Sequence, residues 1–204
     1  MPLTRRSVVS LILALPIAGC GTFATSFPAA LDPTVTRNWR VKAIQVTVPE
    51  SLTVSEAHTF LPEADIVWRE DDPNGDRHQQ VAVLMHDAIQ RGTQGLHGTI
   101  PVIISVRVTR FHALTFEAET QLSNAGVHNI QFDIQVTQAG TSIILAGPVH
   151  IMADLPALSG SEMATARQSG ETQKSQIEAH VAQTISAWLG IGPDNRGSFV
   201  RAGN

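Results

Sequence analysis

The 204-residue chain holds one cysteine, no tyrosine and two lysines. A single thiol excludes an internal disulfide framework, a cysteine zinc cluster and an iron–sulfur centre. The lack of tyrosine excludes tyrosine-based catalysis. Neither Lys42 nor Lys174 sits in a Schiff-base or phosphate-binding setting. Charged residues make up 16% of the chain, below the roughly 25% usual in soluble domains. The net charge of −4 offers no basic surplus to neutralise nucleic-acid phosphates, so no nucleic-acid partner is expected. GxSxG, SxxK, Walker A and HExxH patterns are absent, as are internal repeats. What is present is 43% hydrophobic residues, enough to bury the core of one domain.

The first twenty residues, MPLTRRSVVSLILALPIAGC, are organised around export. Arg5 and Arg6 form a positive n-region, and the apolar run Val8 to Ile17 is ten residues long. A membrane span needs about 20 apolar residues, so this run reads as the h-region of a secretory signal peptide. Ile17-Ala18-Gly19-Cys20 resembles the lipobox of bacterial lipoproteins: an aliphatic residue, two small residues, then a cysteine. That resemblance implies cleavage between Gly19 and Cys20, a diacylglycerol thioether on Cys20 and acylation (palmitate or a similar chain) of the new amine. Several acyl chains hold a protein far more firmly than one. Gly21, where an aspartate would favour the inner membrane, points to the outer membrane, with the domain facing the periplasm. A signal-anchor helix with an incidental cysteine is the alternative. Removing residues 1–19 takes Arg5 and Arg6 from the 14 basic residues and leaves 12 against 18 acidic ones, a formal charge of −6. Such a body does not adhere to anionic lipid by charge, so the membrane partner is held through the lipid at Cys20.

Residues 20–38 contain two prolines and no periodicity, and read as lipid anchor plus tether. Residues 39–191 read as one α+β domain, and residues 192–204 as a flexible tail. Ile44, Val46 and Val48 alternate with polar residues as in a half-buried strand, and Ala64 to Arg69 suggests a short one. Val81, Leu84, Met85, Ala88 and Ile89 recur at helical spacing after an Asp71-to-Asp76 turn. Val102, Ile104, Val106 and Val108 mark a strand over 101–114, and Phe116 to Leu122 reads as a continuation of the sheet. Ile130, Phe132, Ile134 and Val136 mark another strand, and residues 142–153 return as its partner, bent at Gly147-Pro148. Residues 154–170 read as a loop. Ile177, Val181, Ile185, Trp188 and Leu189 line one face of a helix over 171–189. The expected fold is a two-layer α+β sandwich, a mainly antiparallel sheet of about five strands with two helices on one face.

Four stretches, LTVSEAHTFLPEADIVWREDDPNGDR (52–77), VTRFHALTFEA (108–118), GVHNIQFDIQV (126–136) and GETQKSQIEAHV (170–181), together resemble a family of small alphaproteobacterial lipoproteins whose function is not established. The resemblance supports envelope location and brings no catalytic residues.

The remaining chemistry-bearing residues are weak as sites. His78 and His86, with Asp87 nearby, could share a helix face for zinc, but a solvated surface explains them. Asp72, Asn74 and Asp76 echo a calcium loop, yet its sixth position is Arg77 and its twelfth Val83. Arg107, Arg110 and His112 followed by Glu117 and Glu119 suggest cross-strand ion pairs rather than an acid–base pair. Gly126-Val127-His128-Asn129 could be a binding loop or a plain turn, and Trp68 and Trp188 a groove lining or core. No catalytic residue, metal site or cofactor is assigned. The expected function is a non-enzymatic, lipid-anchored binding or accessory subunit in an envelope transport or assembly complex. A lipid-binding carrier and, further off, a hydrolase with a dispersed active site are the alternatives.

Overall fold

A computed structural model describes residues 20–69, 74–123 and 125–202. Residues 1–19, expected as a signal peptide, and the Asp71-Asp72-Pro73 part of the acidic turn lie outside them.

The class is α+β, but the sheet is larger than expected and mixed rather than mainly antiparallel with about five strands. Eight strands form it: β1 (Cys20–Ser26), β2 (Trp39–Thr47), β3 (Ile66–Val67), β4 (Ile100–His112), β5 (Val127–Gln138), β6 (Ile144–Ala153), β7 (Leu155–Pro156) and β8 (Gly197–Ala202). The order is β2-β4-β5-β6-β1-β8; β3 pairs with β4 and β7 with β5. β2 and β4 are parallel, because the connection between them is not a hairpin but a crossover through helix α2 (Arg77–Gly92). β4, β5 and β6 then follow as antiparallel neighbours.

There are five helices among the described residues rather than two. α2 and α5 (Gln173–Trp188) are the long pair. The others are α1 (Pro33–Thr36), α3 (Phe116–Gln121) and α4 (Gly160–Gln168). α2 begins where Asp76 Oδ1 accepts the Gln79 N–H at 3.1 Å. α5 begins with a reciprocal capping box between Thr172 and Ser175. Both helices place their apolar stripes on the sheet: Val81, Leu84, Met85, Ala88 and Ile89 of α2, and Ile177, Val181, Ile185 and Trp188 of α5, are all buried. They meet the inward face of β4 (Val102, Ile104, Val106, Val108) and of β5 (Ile130, Phe132, Ile134, Val136), also buried. At Gly92 the helices approach so closely that a Cβ would lie 2.6 Å from the Ala182 carbonyl oxygen. Arg91 Nη2 and the buried Glu178 Oε2, 3.0 Å apart, close the same helix pair. Trp68 stacks edge-on against Phe111 at 5.6 Å, and both it and Trp188 are core residues rather than groove lining. The opposite face of the sheet is polar, with Ser105 donating to Gln45 at 3.3 Å and His150 against Asp133 at 2.8 Å.

Four local expectations change. Residues 20–26, expected as tether, form β1, which joins β6 at Thr25↔Ala153 and Ser26↔Met152 and β8 from Cys20↔Ala202 to Thr25↔Gly197. The expected tail contains β8. Residues 116–121 leave the sheet as α3, because Thr115 Oγ1 accepts the Ala118 N–H at 3.1 Å and Glu117 and Glu119 sit in a first turn that favours negative charge. Part of the expected 154–170 loop is α4.

Candidate functional site

β4 ends, β5 begins and β6 ends at one end of the sheet. α3 and α4 gather there, together with the 48–65 segment and the start of α5. Between them lies the cleft we take as the candidate site, about 910 Å³ in volume. Leu114, Phe116, Met163 and Ala164 supply its apolar lining, and His58, Arg69, Glu119 and Arg167 its charged and titratable groups. Phe116 stands at the mouth, 68% exposed.

Glu119 is the fixed point of the cleft. It is buried at 5% exposure. Its Oε1 accepts from Arg167 Nη2 at 2.9 Å and Nε at 3.1 Å, and its Oε2 accepts a short hydrogen bond from Gln173 Nε2. Gln173 Oε1 in turn accepts the Leu114 N–H at 3.0 Å. A buried carboxylate is thus satisfied from α4 and α5 at once, locking α3 against both helices.

A second chain of charges crosses the rim. Arg69 Nη1 donates to His58 Nε2 at 2.9 Å. That nitrogen must therefore be unprotonated, so His58 is the neutral tautomer whose Nδ1–H donates to Glu117 Oε1 at 2.7 Å. The backbone N–H of Glu117 and then this imidazole hold the Glu117 carboxyl below its ordinary pKa. Glu56 accepts from Arg77 Nε at 2.8 Å, and Arg77, then Arg69, keep its carboxyl low. Glu117 and Glu119 thus sit on a helix and pair with His58 and Arg167; they make no cross-strand pairs with Arg107 or Arg110. His112 is buried, within 3.2 Å of the Pro62 carbonyl; burial first, then Arg110, lowers its pKa. His58, Arg69, Arg167 and Gln173 had no sequence signal, because each acts across a long sequence separation and none belongs to a periodic pattern.

A second polar cluster is sealed between β1, β5 and α5. Asn129 Nδ2 and the Ile130 N–H donate to Asp154 Oδ1 at 2.6 and 3.2 Å. Burial outweighs these bonds and pushes the Asp154 carboxyl up to about 6. Thr25 Oγ1 donates to the Asp154 carbonyl at 2.9 Å and lies 2.8 Å from His180 Nε2. The threonine has one proton and spends it on that carbonyl, so His180 must donate to it. This direction is opposite to that of a nucleophile handing its proton to a base. His128 is fully buried, and neither ring nitrogen has a hydrogen-bond partner. Burial brings the imidazole down to about 3, outweighing the Gln176 side chain, which favours the protonated form. Gly126-Val127-His128-Asn129 therefore leads into a buried strand and is not an exposed binding loop.

The zinc and calcium candidates resolve separately. His78 Nε2 lies 3.1 Å from the Leu52 carbonyl, and His86 pairs with Asp87 at 3.2 Å. Asp76 caps α2, and Asp72 lies outside the described residues. Among the described residues no three His, Cys, Asp or Glu side chains gather as a metal site.

No curated protein sequence matches the chain. Among solved structures it is similar to the PelC dodecamer from Paraburkholderia phytofirmans, with 11% identity, a TM-score of 0.35 and coverage of 82% of this chain and 96% of that one. It is also similar to a crystal structure of an uncharacterized protein, with 17% identity, a TM-score of 0.34 and coverage of 74% and 94%. Residues 39–204 match the model of a family of unknown function (DUF6778), and the chain belongs to that family.

Proposed function

We propose that this protein is a lipid-anchored subunit of the cell envelope, held through Cys20 in the outer membrane and facing the periplasm. In this reading it is a non-enzymatic accessory in a transport or assembly complex. The observation that carries the proposal is the coincidence of Arg5-Arg6, the short apolar run Val8–Ile17 and Ile17-Ala18-Gly19-Cys20, whose cysteine is the only one in the chain. The rim of the cleft supports a binding role: Arg69 and Arg167 are already paired with the carboxylates of Glu56 and Glu119, and its apolar wall ends in the exposed Phe116. Thr25 and His180 are oriented against nucleophilic chemistry. The test is crosslinking followed by affinity purification of the tagged, lipidated protein from native membranes. Recovery of one envelope machine in fixed proportion supports the proposal; recovery of bulk envelope proteins alone overturns it.

The second reading is a lipid carrier. The cleft favours it, because Leu114, Met163 and Ala164 form an apolar wall beside Arg69 and Arg167, the pairing of surfaces an amphiphile needs. Native mass spectrometry of the protein extracted under mild conditions would then show one lipid beyond the anchor.

A further inference from the structure

We propose that the β1–β8 ribbon is a foot that seats the domain directly on the bilayer carrying its anchor. The inference rests on lipidation of Cys20. It adds that the lipidated residue is the first of a structured strand rather than the start of a leash.

Residues 20–24 of β1 pair only with β8; the contact with β6 begins at Thr25. A two-stranded ribbon of this kind is marginal in water unless one face is covered. Within it, Phe23 lies opposite Phe199 with ring centroids 5.9 Å apart, stacked at 27°. The Phe23 ring also lies over Gly21, where a Cβ would come within 2.9 Å of it. On the other face Val200, opposite Thr22, is 62% exposed. Neither strand contains an aspartate or glutamate, and its one charge is Arg201, opposite Gly21. The ribbon thus pairs Phe23, Phe199 and Val200 with small and hydroxyl residues and is free of negative charge, on a chain that carries a net −6 over residues 20–204.

The geometry selects lipid as what covers it. Phe23 is three residues from Cys20, about 10 Å along an extended strand. Interfacial apolar groups bury about 5–10 Å into the headgroup and acyl boundary. Acyl chains on Cys20 would therefore draw the anchor end of the ribbon to the interface, with Arg201, opposite Gly21, among the headgroups, and Val200 and then the Phe23–Phe199 pair following one and two residues further along on the two faces. Direction follows as well. β1 runs antiparallel to β6, so Cys20 lies beyond the C-terminal end of β6. That is the end of the sheet where α3 and α4 form the cleft, so the cleft is presented toward the bilayer.

The test uses full-length protein, lipidated in cells and purified with its anchor. Lipidation consumes the Cys20 thiol, so Val200→Cys gives one site for an environment-sensitive fluorophore. Val83→Cys, on the exposed side of α2 and 46% exposed in the native residue, is the control. Both are reconstituted in phosphatidylethanolamine–phosphatidylglycerol vesicles containing a shallow nitroxide lipid. We expect at least threefold stronger quenching at position 200 than at position 83, with a blue-shifted emission. Equal, weak quenching at both positions in protein whose intact mass shows the lipid overturns the foot and leaves lipidation standing. A shielded label at 200 that transfers energy between copies but is not quenched by lipid also overturns it, since β8 would then be covered by a second copy. An intact mass without diacylglycerol on Cys20 overturns the lipoprotein reading itself, and the foot with it.

Discussion

Replacing His128 by leucine should make the protein progressively more stable than wild type as the pH falls. His128 is fully buried without a hydrogen-bond partner, and its pKa is brought from 6.5 to about 3. A depressed folded-state pKa contributes stability that is complete above the unfolded value of 6.5 and is lost as pH falls toward 3. Between pH 7 and pH 5 the unfolded imidazole takes up most of a proton while the folded one takes up almost none. At about 1.36 kcal/mol per pH unit, wild type loses about 2 kcal/mol to this one group over that interval. Leucine has similar bulk and nothing to protonate, so the variant escapes the loss. Urea denaturation at pH 7 and pH 5, followed by the emission of the buried Trp68 and Trp188, measures it. Differences between variant and wild type cancel the contributions of Asp154 and the other carboxylates. A gap between the two proteins that widens by about 2 kcal/mol at pH 5 supports the reasoning. A gap that does not change with pH refutes it, and means that His128 has a partner or access to water.

Three further outcomes follow from the packing. Asp154→Asn keeps the oxygen that accepts from Asn129 and Ile130. Because the folded pKa of Asp154 is raised to about 6, its stabilising contribution is complete below the unfolded value and lost as pH rises through about 6. The variant gives up the bond from the Ala24 N–H at every pH, but between pH 4 and pH 7 its stability should move by about 1–3 kcal/mol in its favour relative to wild type, as read by denaturation at both values. Arg167→Ala leaves the buried Glu119 with Gln173 alone and should cost about 2–4 kcal/mol; hydrogen exchange would show α3 and α4 loosening before the rest. Gly92→Ala forces α2 away from the Ala182 carbonyl and should lower stability by about 1–3 kcal/mol, visible as a reduced thermal midpoint.

The parts of the fold that could be read from the sequence are those where one face is buried along a whole element. α2, β4, β5 and α5 each carry an unbroken apolar stripe, and each residue of those stripes is in the core. β1 and β8 carry none: they lie at the edge of the sheet, most of β1 pairs only with β8, and Phe23, Phe199 and Val200 stand among small and hydroxyl residues, so burial leaves no alternation to detect. α3 is six residues long, and its cap at Thr115 decides it, whereas Phe116 and Leu122 at its ends look like strand residues. The parallel register of β2 and β4 follows from the crossover through α2, which the list of strands alone does not fix. The cleft was hidden for a different reason. Glu119 was visible, but Arg167 and Gln173 reach it from 48 and 54 residues away, and no local pattern records such a meeting.

Intact mass and membrane fractionation of the full-length protein beside Cys20→Ser test the lipid on Cys20 most directly. The wild-type chain should begin at Cys20, carry a diacylglyceryl thioether and fractionate with the outer membrane. The variant should be released from the membrane, with a precursor of altered mobility. A wild-type chain that keeps residues 1–19, has a free thiol and remains in the membrane when Cys20 is replaced would contradict it, and would make the amino-terminal segment a signal anchor.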